Sequence, residues 1–245
     1  LNTVSLFVFV LFSLLVLHAA GQDSLLVVPV KEETSGFMDF NGYYDSREFS
    51  VLTFNLLANL PNRFQYFSLT NFQGNSKDAD LNGYFSEQNV RWNMIDNTPF
   101  DLTAQWVTRS GQTNDLLRFG FRLRLSSLKW LSAWLKKMNV FYFFNVHAIE
   151  FRNNDATDYF TQLEHVYNIK ILPKLLDNRV YFGGFADQAF HYHNGKKITF
   201  NWVSEHQLGV RLWPAFYAVA EYRINDWLPK DRFGWGYGLE YKVKF

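Results

Sequence analysis

From Phe233 to Phe245 every second residue is large and apolar: Phe233, Trp235, Tyr237, Leu239, Tyr241, Val243 and Phe245. Between them lie Gly234, Gly236, Gly238, Glu240, Lys242 and Lys244. A helix would scatter these residues around its axis; a strand sorts them onto one oily face and one polar or empty face. The same sorting recurs over Phe37–Tyr44, Phe49–Ala58, Arg63–Phe72, Tyr84–Met94, Phe100–Thr108, Leu116–Leu125, Val140–Phe151, Tyr159–Leu172, Val180–His193, Ile198–Leu212 and Phe216–Ile224. Short turns, several with Pro (Leu60-Pro-Asn62, Asp96-Asn-Thr-Pro99, Pro173–Asn178, Trp213-Pro-Ala215), fall at every second junction, with longer polar loops between.

Leu116–Leu125 is the clearest internal case: Leu117, Phe119, Phe121, Leu123 and Leu125 alternate with Arg118, Gly120, Arg122 and Arg124. An Arg ladder facing a soluble core would be costly, whereas facing water it is not. A soluble sandwich or lipocalin-like barrel also alternates, but does not need Phe and Trp on one face against Arg, Glu and Asp on the other. The pattern therefore predicts an all-β fold, a transmembrane antiparallel up-and-down β-barrel of about 12 strands, with lipid outside and a wet lumen inside. An even count returns both termini to one side. Two aromatic girdles fit this threading: Trp92, Trp130, Trp134 and Trp213 near the inner rim, and Trp106, Trp202, Trp227 and Trp235 toward the outer rim. One segment breaks the period. Ser126–Met138, with Leu128, Leu131, Leu135, Trp130 and Trp134, suits a short amphipathic helix lying in the membrane interface.

Phe141–Phe144 is aromatic throughout and admits either phase. With Val140, Tyr142, Phe144 and Val146 outward, Phe141, Phe143, Asn145 and His147 face inward. Residues 1–21, with the apolar run SLFVFVLFSLLVL, predict a secretory signal peptide; 22–35 form a periplasmic leader, and 36–245 the barrel. The chain has no Cys, so no disulfide framework or thiolate metal site arises, and a net charge of +1 with 19% aromatic residues does not suggest a nucleic-acid binder.

The predicted lumen combines rings and charges. Phe67, Phe85, Phe141, Phe143, Tyr181, Phe185 and Tyr217 offer flat faces on which a sugar ring or base can stack. Arg91, Arg118, Arg122, Arg124, Asp187, Glu205, Arg211, Glu221 and Arg223 offer directional hydrogen bonds. These residue types suit a selective passage for a small amphiphilic solute, with no cofactor or metal. They also suit ion-pair ladders that fix barrel shape without a ligand. In this architecture the partners are outer-membrane lipids, the barrel-assembly machinery acting on the strand that ends at Phe245, and the solute itself.

The Gly-rich final strand, GWGYGLEYKVKF, and the aromatic stretch Phe64-Gln-Tyr-Phe-Ser-Leu-Thr-Asn-Phe-Gln-Gly74 resemble the nucleoside-specific channel-forming proteins of the outer membrane. The resemblance covers most of the chain but is mainly architectural, so no contact residue transfers with it. It implies passive diffusion of nucleosides across the outer membrane of a Gram-negative bacterium.

The rival class is a lipolytic barrel enzyme of the phospholipase or lipid A deacylase type, acting with a Ser/His pair on the lipid-facing wall. Ser204 and His206 both fall outward, as does His165, but the order of Ser and His is the reverse of the one those families use. A structural barrel with a plugged lumen is a third class. His191 and His193 form an i, i+2 pair that could ligate a metal, although loop-proximal histidines more often meet water.

Overall fold

The computed structural model describes residues 34–74, 81–111, 115–152, 159–192 and 198–245. Residues 1–33, and with them the signal-peptide expectation and nearly all of the leader, lie outside the described residues, as does His193. The strands are β1 (Ser35–Asp45), β2 (Phe49–Leu60), β3 (Phe64–Gln73), β4 (Gly83–Trp92), β5 (Phe100–Arg109), β6 (Leu116–Arg124), β7 (Val140–Arg152), β8 (Tyr159–Lys170), β9 (Val180–Tyr192), β10 (Thr199–Arg211), β11 (Phe216–Asn225) and β12 (Phe233–Lys244). Each pairs antiparallel with its sequence neighbours, and β1 pairs with β12, closing the barrel. The seam extends to the C-terminal residue: Phe245 and Gly36 exchange backbone hydrogen bonds of 2.9 and 3.2 Å. Closure leaves no open edge, which is the condition for strands in hydrocarbon.

Burial follows the alternation. On β12 the apolar set from Phe233 to Tyr241 is exposed while Gly234, Gly236 and Glu240 are buried. Trp106 on the outer wall is 53% exposed and Glu240 on the inner wall 2%. A soluble barrel would show the reverse, so the outside of this wall is built for lipid. No helix among the described residues is long and apolar enough to cross a membrane.

Pairing also fixes the phase of β7. Phe141, Phe143 and Asn145 pair with inward Asn168, Val166 and Glu164, so Val140, Tyr142, Phe144 and Val146 point outward. Past His147 the pattern changes. The β6 register steps from Phe119↔Ile149 to Gly120↔His147, passing over Ala148, so this β-bulge turns both His147 and Glu150 inward. Gly120 is needed there, because a Cβ on it would lie 1.8 Å from the Val146 carbonyl oxygen.

The helix α1 (Lys129–Lys137) forms on the inner rim between β6 and β7. It buries Leu135 and leaves Trp130 and Trp134 exposed, while Lys136 and Lys137 sit in its last turn, where cations complement the helix dipole. Two details depart from the sequence reading. The first outer connection, Ser46–Glu48, is as short as an inner turn. Trp227, assigned to the outer girdle, packs edge-on against inward-facing His191, with ring centroids 5.0 Å apart.

Candidate functional site

Charged side chains brought inside a closed wall must find partners there, since each pays for lost hydration. In this lumen most of them do so in two networks.

The first runs over β3 to β8. Arg122 meets Asp101 Oδ2 at 2.6 Å and donates to Gln65 Oε1 at 2.6 Å; Arg124 Nη2 reaches Asp101 Oδ1 at 3.2 Å. Arg118 pairs with Glu150 at 2.6 Å and donates to Gln105 at 2.9 Å. The rings serve as cation platforms: Arg91 lies over Phe67 and Phe143 (5.3 and 5.4 Å), Arg122 over Phe143 (5.1 Å) and Arg118 over Phe160 (5.6 Å). Phe141 stacks edge-on against Phe143 and is largely exposed at the inner mouth.

The second network runs from β9 round to β1. Tyr43 donates to Gln207 Oε1 at 2.5 Å, Gln207 to the Tyr181 hydroxyl, and Tyr181 to Glu240. Lys242 bridges Glu240 (3.1 Å) and Asp39 (3.4 Å). Arg223 is held by Glu221, approaches Asp45 at 3.7 Å and lies 5.1 Å over the Tyr43 ring. Tyr217 packs edge-on against Tyr181 at 5.7 Å. The empty glycine face of β12 makes room for this layer: Gly236 has the Tyr43 ring 3.5 Å from where its Cβ would stand, and at Gly234 a Cβ would meet Arg47 Nε at 2.4 Å. Arg47, from the outer turn, is thereby laid into the mouth, paired with Asp45 at 2.7 Å.

Every candidate lumen residue of the sequence reading thus lies on the inward phase, but in different settings. Arg91, Arg118, Arg122, Phe67 and Phe143 are brought together in the first network; Tyr181, Tyr217, Glu221 and Arg223 in the second. Phe85, Phe185, Asp187 and Glu205 are half-buried on the inner wall. Arg211 and Arg124 are drawn toward the rim, where they donate to the backbone carbonyls of Asp177 and Thr98, both at 2.7 Å. Tyr43, Arg47, Glu150, Gln207, Glu240 and Lys242 belong to the networks without having been singled out. The alternation put Tyr43, Gln207, Glu240 and Lys242 inside, but which inward residue bonds which is decided by contacts across three strands. At the inner mouth, Arg63, Arg122, Arg124 and Lys129 line a cavity of about 570 Å³ with Asp96, Asp101 and several amides.

Among the described residues, no hydrogen bond joins Ser204 to His206. Ser204 is fully buried and its hydroxyl accepts from Trp202 Nε1 at 2.9 Å. His206 Nδ1 is joined to the Tyr167 hydroxyl at 2.6 Å and His165 Nδ1 to the Tyr142 hydroxyl, so one ring nitrogen of each imidazole is engaged within the wall. No group of three or more His, Cys, Asp or Glu among the described residues is arranged to hold a metal ion.

No protein-family model matches this chain, and no curated protein sequence matches it. Among solved structures, the barrel is similar to the NanC porin, at 12% identity over 84% of this chain and 100% of that one, with a TM-score of 0.51. It is also similar to the KdgM porin, at 11% identity over 84% of this chain and 98% of that one, with a TM-score of 0.50. The KdgM porin has been solved in complex with disordered oligogalacturonate as well. What the chain shares with both is the fold, a closed antiparallel β-barrel.

Proposed function

We propose that this protein is a channel of the Gram-negative outer membrane, passing small amphiphilic solutes by passive diffusion. One observation carries the reading: the apolar wall faces out and the charged and aromatic wall faces in, with Phe85, Phe185, Asp187 and Glu205 left half-buried on the inner face. A barrel serving only as an anchor gains nothing from polar groups left open to its bore, whereas a permeant solute uses rings to stack on and charges to orient it. Nucleosides are the first solute class to test, from the resemblance of the final strand and early hairpin; acidic sugars are the second, from the oligogalacturonate complex of the similar KdgM porin. The strand ending at Phe245 is the element offered to the assembly machinery.

The test is a planar bilayer recording of the refolded chain, followed by liposome uptake of nucleosides, neutral and acidic sugars, and fatty acids. Ion conduction interrupted by a permeant solute is the expected result. Silence to ions and to every solute overturns it. Lipid hydrolysis that disappears in Ser204→Ala would replace it with the enzyme reading, which the hydrogen bonding of Ser204 and His206 disfavours.

A further inference from the structure

Four carboxylates face the bore from the inner wall: Glu87 of β4, Glu164 of β8, Asp187 of β9 and Glu205 of β10. Glu164 and Asp187 are direct cross-strand partners. Glu205 lies diagonally beyond Asp187, which itself pairs with Val203. Glu87 stands on the other side of the bore, and Asp187 lies within the electrostatic field of all three, as well as of Arg118.

Their surroundings differ from those of the other lumen acids. Asp39, Asp45, Asp101, Glu150, Glu221 and Glu240 each form an ion pair with Arg or Lys. In the central group, Glu205 has only a 4.0 Å approach from an Arg223 already held by Glu221. Glu164 is held by Asn145 at 2.5 Å and His147 at 3.4 Å, and Glu87 accepts only the Gln105 amide at 3.2 Å. Asp187 has no hydrogen bond and no ion pair among the described residues, and its Oδ1 is buried. Several basic groups are near, but most are already matched: Arg118 is bound to Glu150, Arg223 to Glu221 and Arg47 to Asp45. Arg91 lies between two rings with a bond to Gln65, and Arg109 lies near Glu87. Four acids against these two guanidiniums leave an acidic excess without a matching cation at the centre of the bore.

Neighbouring neutral groups point to the same missing chemistry. Asn89, two residues from Glu87 on the same face, is 1% exposed, and its Oδ1 has no partner. Asn145 is 0% exposed; its amide nitrogen is used on Glu164 and its Oδ1 has no partner. With Asp187 Oδ1 these are three buried acceptors lacking a donor. Water could serve them as a donor, but it carries no charge to offset the carboxylates. A chelated metal ion does not fit either, since the acids are not grouped closely enough to ligate one. A donor-rich organic cation meets both demands, and Phe185, which pairs across the strand with Glu205, adds a ring face of the kind cations favour.

We propose that the middle of this bore binds an amine-bearing solute, its ammonium group held by Asp187 in the field of Glu87 and Glu205, and its hydroxyl groups donating to the Asn89 and Asn145 amide oxygens. As a statement about what is transported it rests on the channel reading; as a statement about binding it does not. The full chain, refolded in detergent, is titrated with glucosamine, N-acetylglucosamine and glucuronate, which present a cation, a neutral group and an anion on similar rings. Glucosamine is expected to bind at least about tenfold more tightly than N-acetylglucosamine, with Asp187→Asn and Glu87→Gln each weakening it severalfold and the pair abolishing the preference. The outer-wall substitution Phe200→Leu is expected to leave it intact. Equal affinity for all three sugars, preference for glucuronate, or a glucosamine preference that survives the double substitution would each overturn the site. The same sugars are then added to bilayer recordings. Conduction without glucosamine binding or block removes the ammonium site and keeps the channel. Glucosamine binding in detergent without any current keeps the site and removes the channel.

Discussion

Asp101 is the most informative single position at which to test how dry this lumen is. Its carboxylate serves two guanidiniums, Arg122 at 2.6 Å and Arg124 at 3.2 Å, and the Asp101 and Arg122 side chains are 2% and 6% exposed. Asp101→Asn keeps the shape and removes the charge, leaving two cations facing a neutral amide. Removing one member of a buried pair costs about 3–5 kcal/mol, because the remaining charge stays desolvated. Here the lower end applies. Arg122 retains Gln65 Oε1 at 2.6 Å, and Arg124, 29% exposed, retains the Thr98 carbonyl at 2.7 Å. We therefore expect a loss of about 3 kcal/mol, read as a lowered midpoint of urea unfolding in detergent followed by tryptophan fluorescence. The double variant Asp101→Asn/Arg122→Gln removes one orphaned charge and should recover more than about 1 kcal/mol relative to additivity. A loss under about 1 kcal/mol, as exposed pairs show, would mean that lumen water screens these charges; with an additive double variant, the account of the lumen as two desolvated networks would be refuted.

Three further outcomes follow from individual contacts. Gly120→Ala should cost at least about 3 kcal/mol by the same unfolding assay, since its Cβ would stand 1.8 Å from the Val146 carbonyl oxygen at the bulge; loss comparable to an ordinary strand glycine would mean the bulge relaxes freely. Arg47→Ser should raise single-channel conductance without changing the fold by circular dichroism, because the guanidinium laid over Gly234 occupies the outer mouth; unchanged conductance would place the narrowest point elsewhere. Ser204→Ala should lower stability by about 1 kcal/mol through the lost bond from Trp202 Nε1, and should leave solute passage unaffected.

The strands themselves were legible in the chain because the two sides of this wall meet different solvents. Lipid selects Phe, Leu and Trp at one parity, and water with charged neighbours selects Arg, Glu and Asn at the other, so parity alone sorted β12 and β6 correctly. Even the aromatic run at Phe141–Phe144 received the phase that pairing with β8 fixes. Parity has no memory past a bulge. The inward turn of Glu150 depends on β6 skipping Ala148, and nothing within Val140–Phe151 marks that step except the pairing partner, Gly120.

The amino-acid order by itself determined that there are about twelve strands, which faces they turn to lipid, and that a short amphipathic helix interrupts them. It did so because a period of two is a local property, set residue by residue by what each side chain must touch. Tertiary structure alone decided which charges are neutralised and which are left open. Arg118 meets Glu150, Tyr43 reaches Gln207 and Arg47 fills the space over Gly234, while Asp187 meets no counterion. Those pairings join residues up to 189 positions apart, counting the Ser46 to Trp235 bond beside Arg47, and exist only once the ring is closed. Closure sets distances across the bore, and at these separations Coulomb energies change by kilocalories over a few ångströms, so geometry rather than composition chooses the partners.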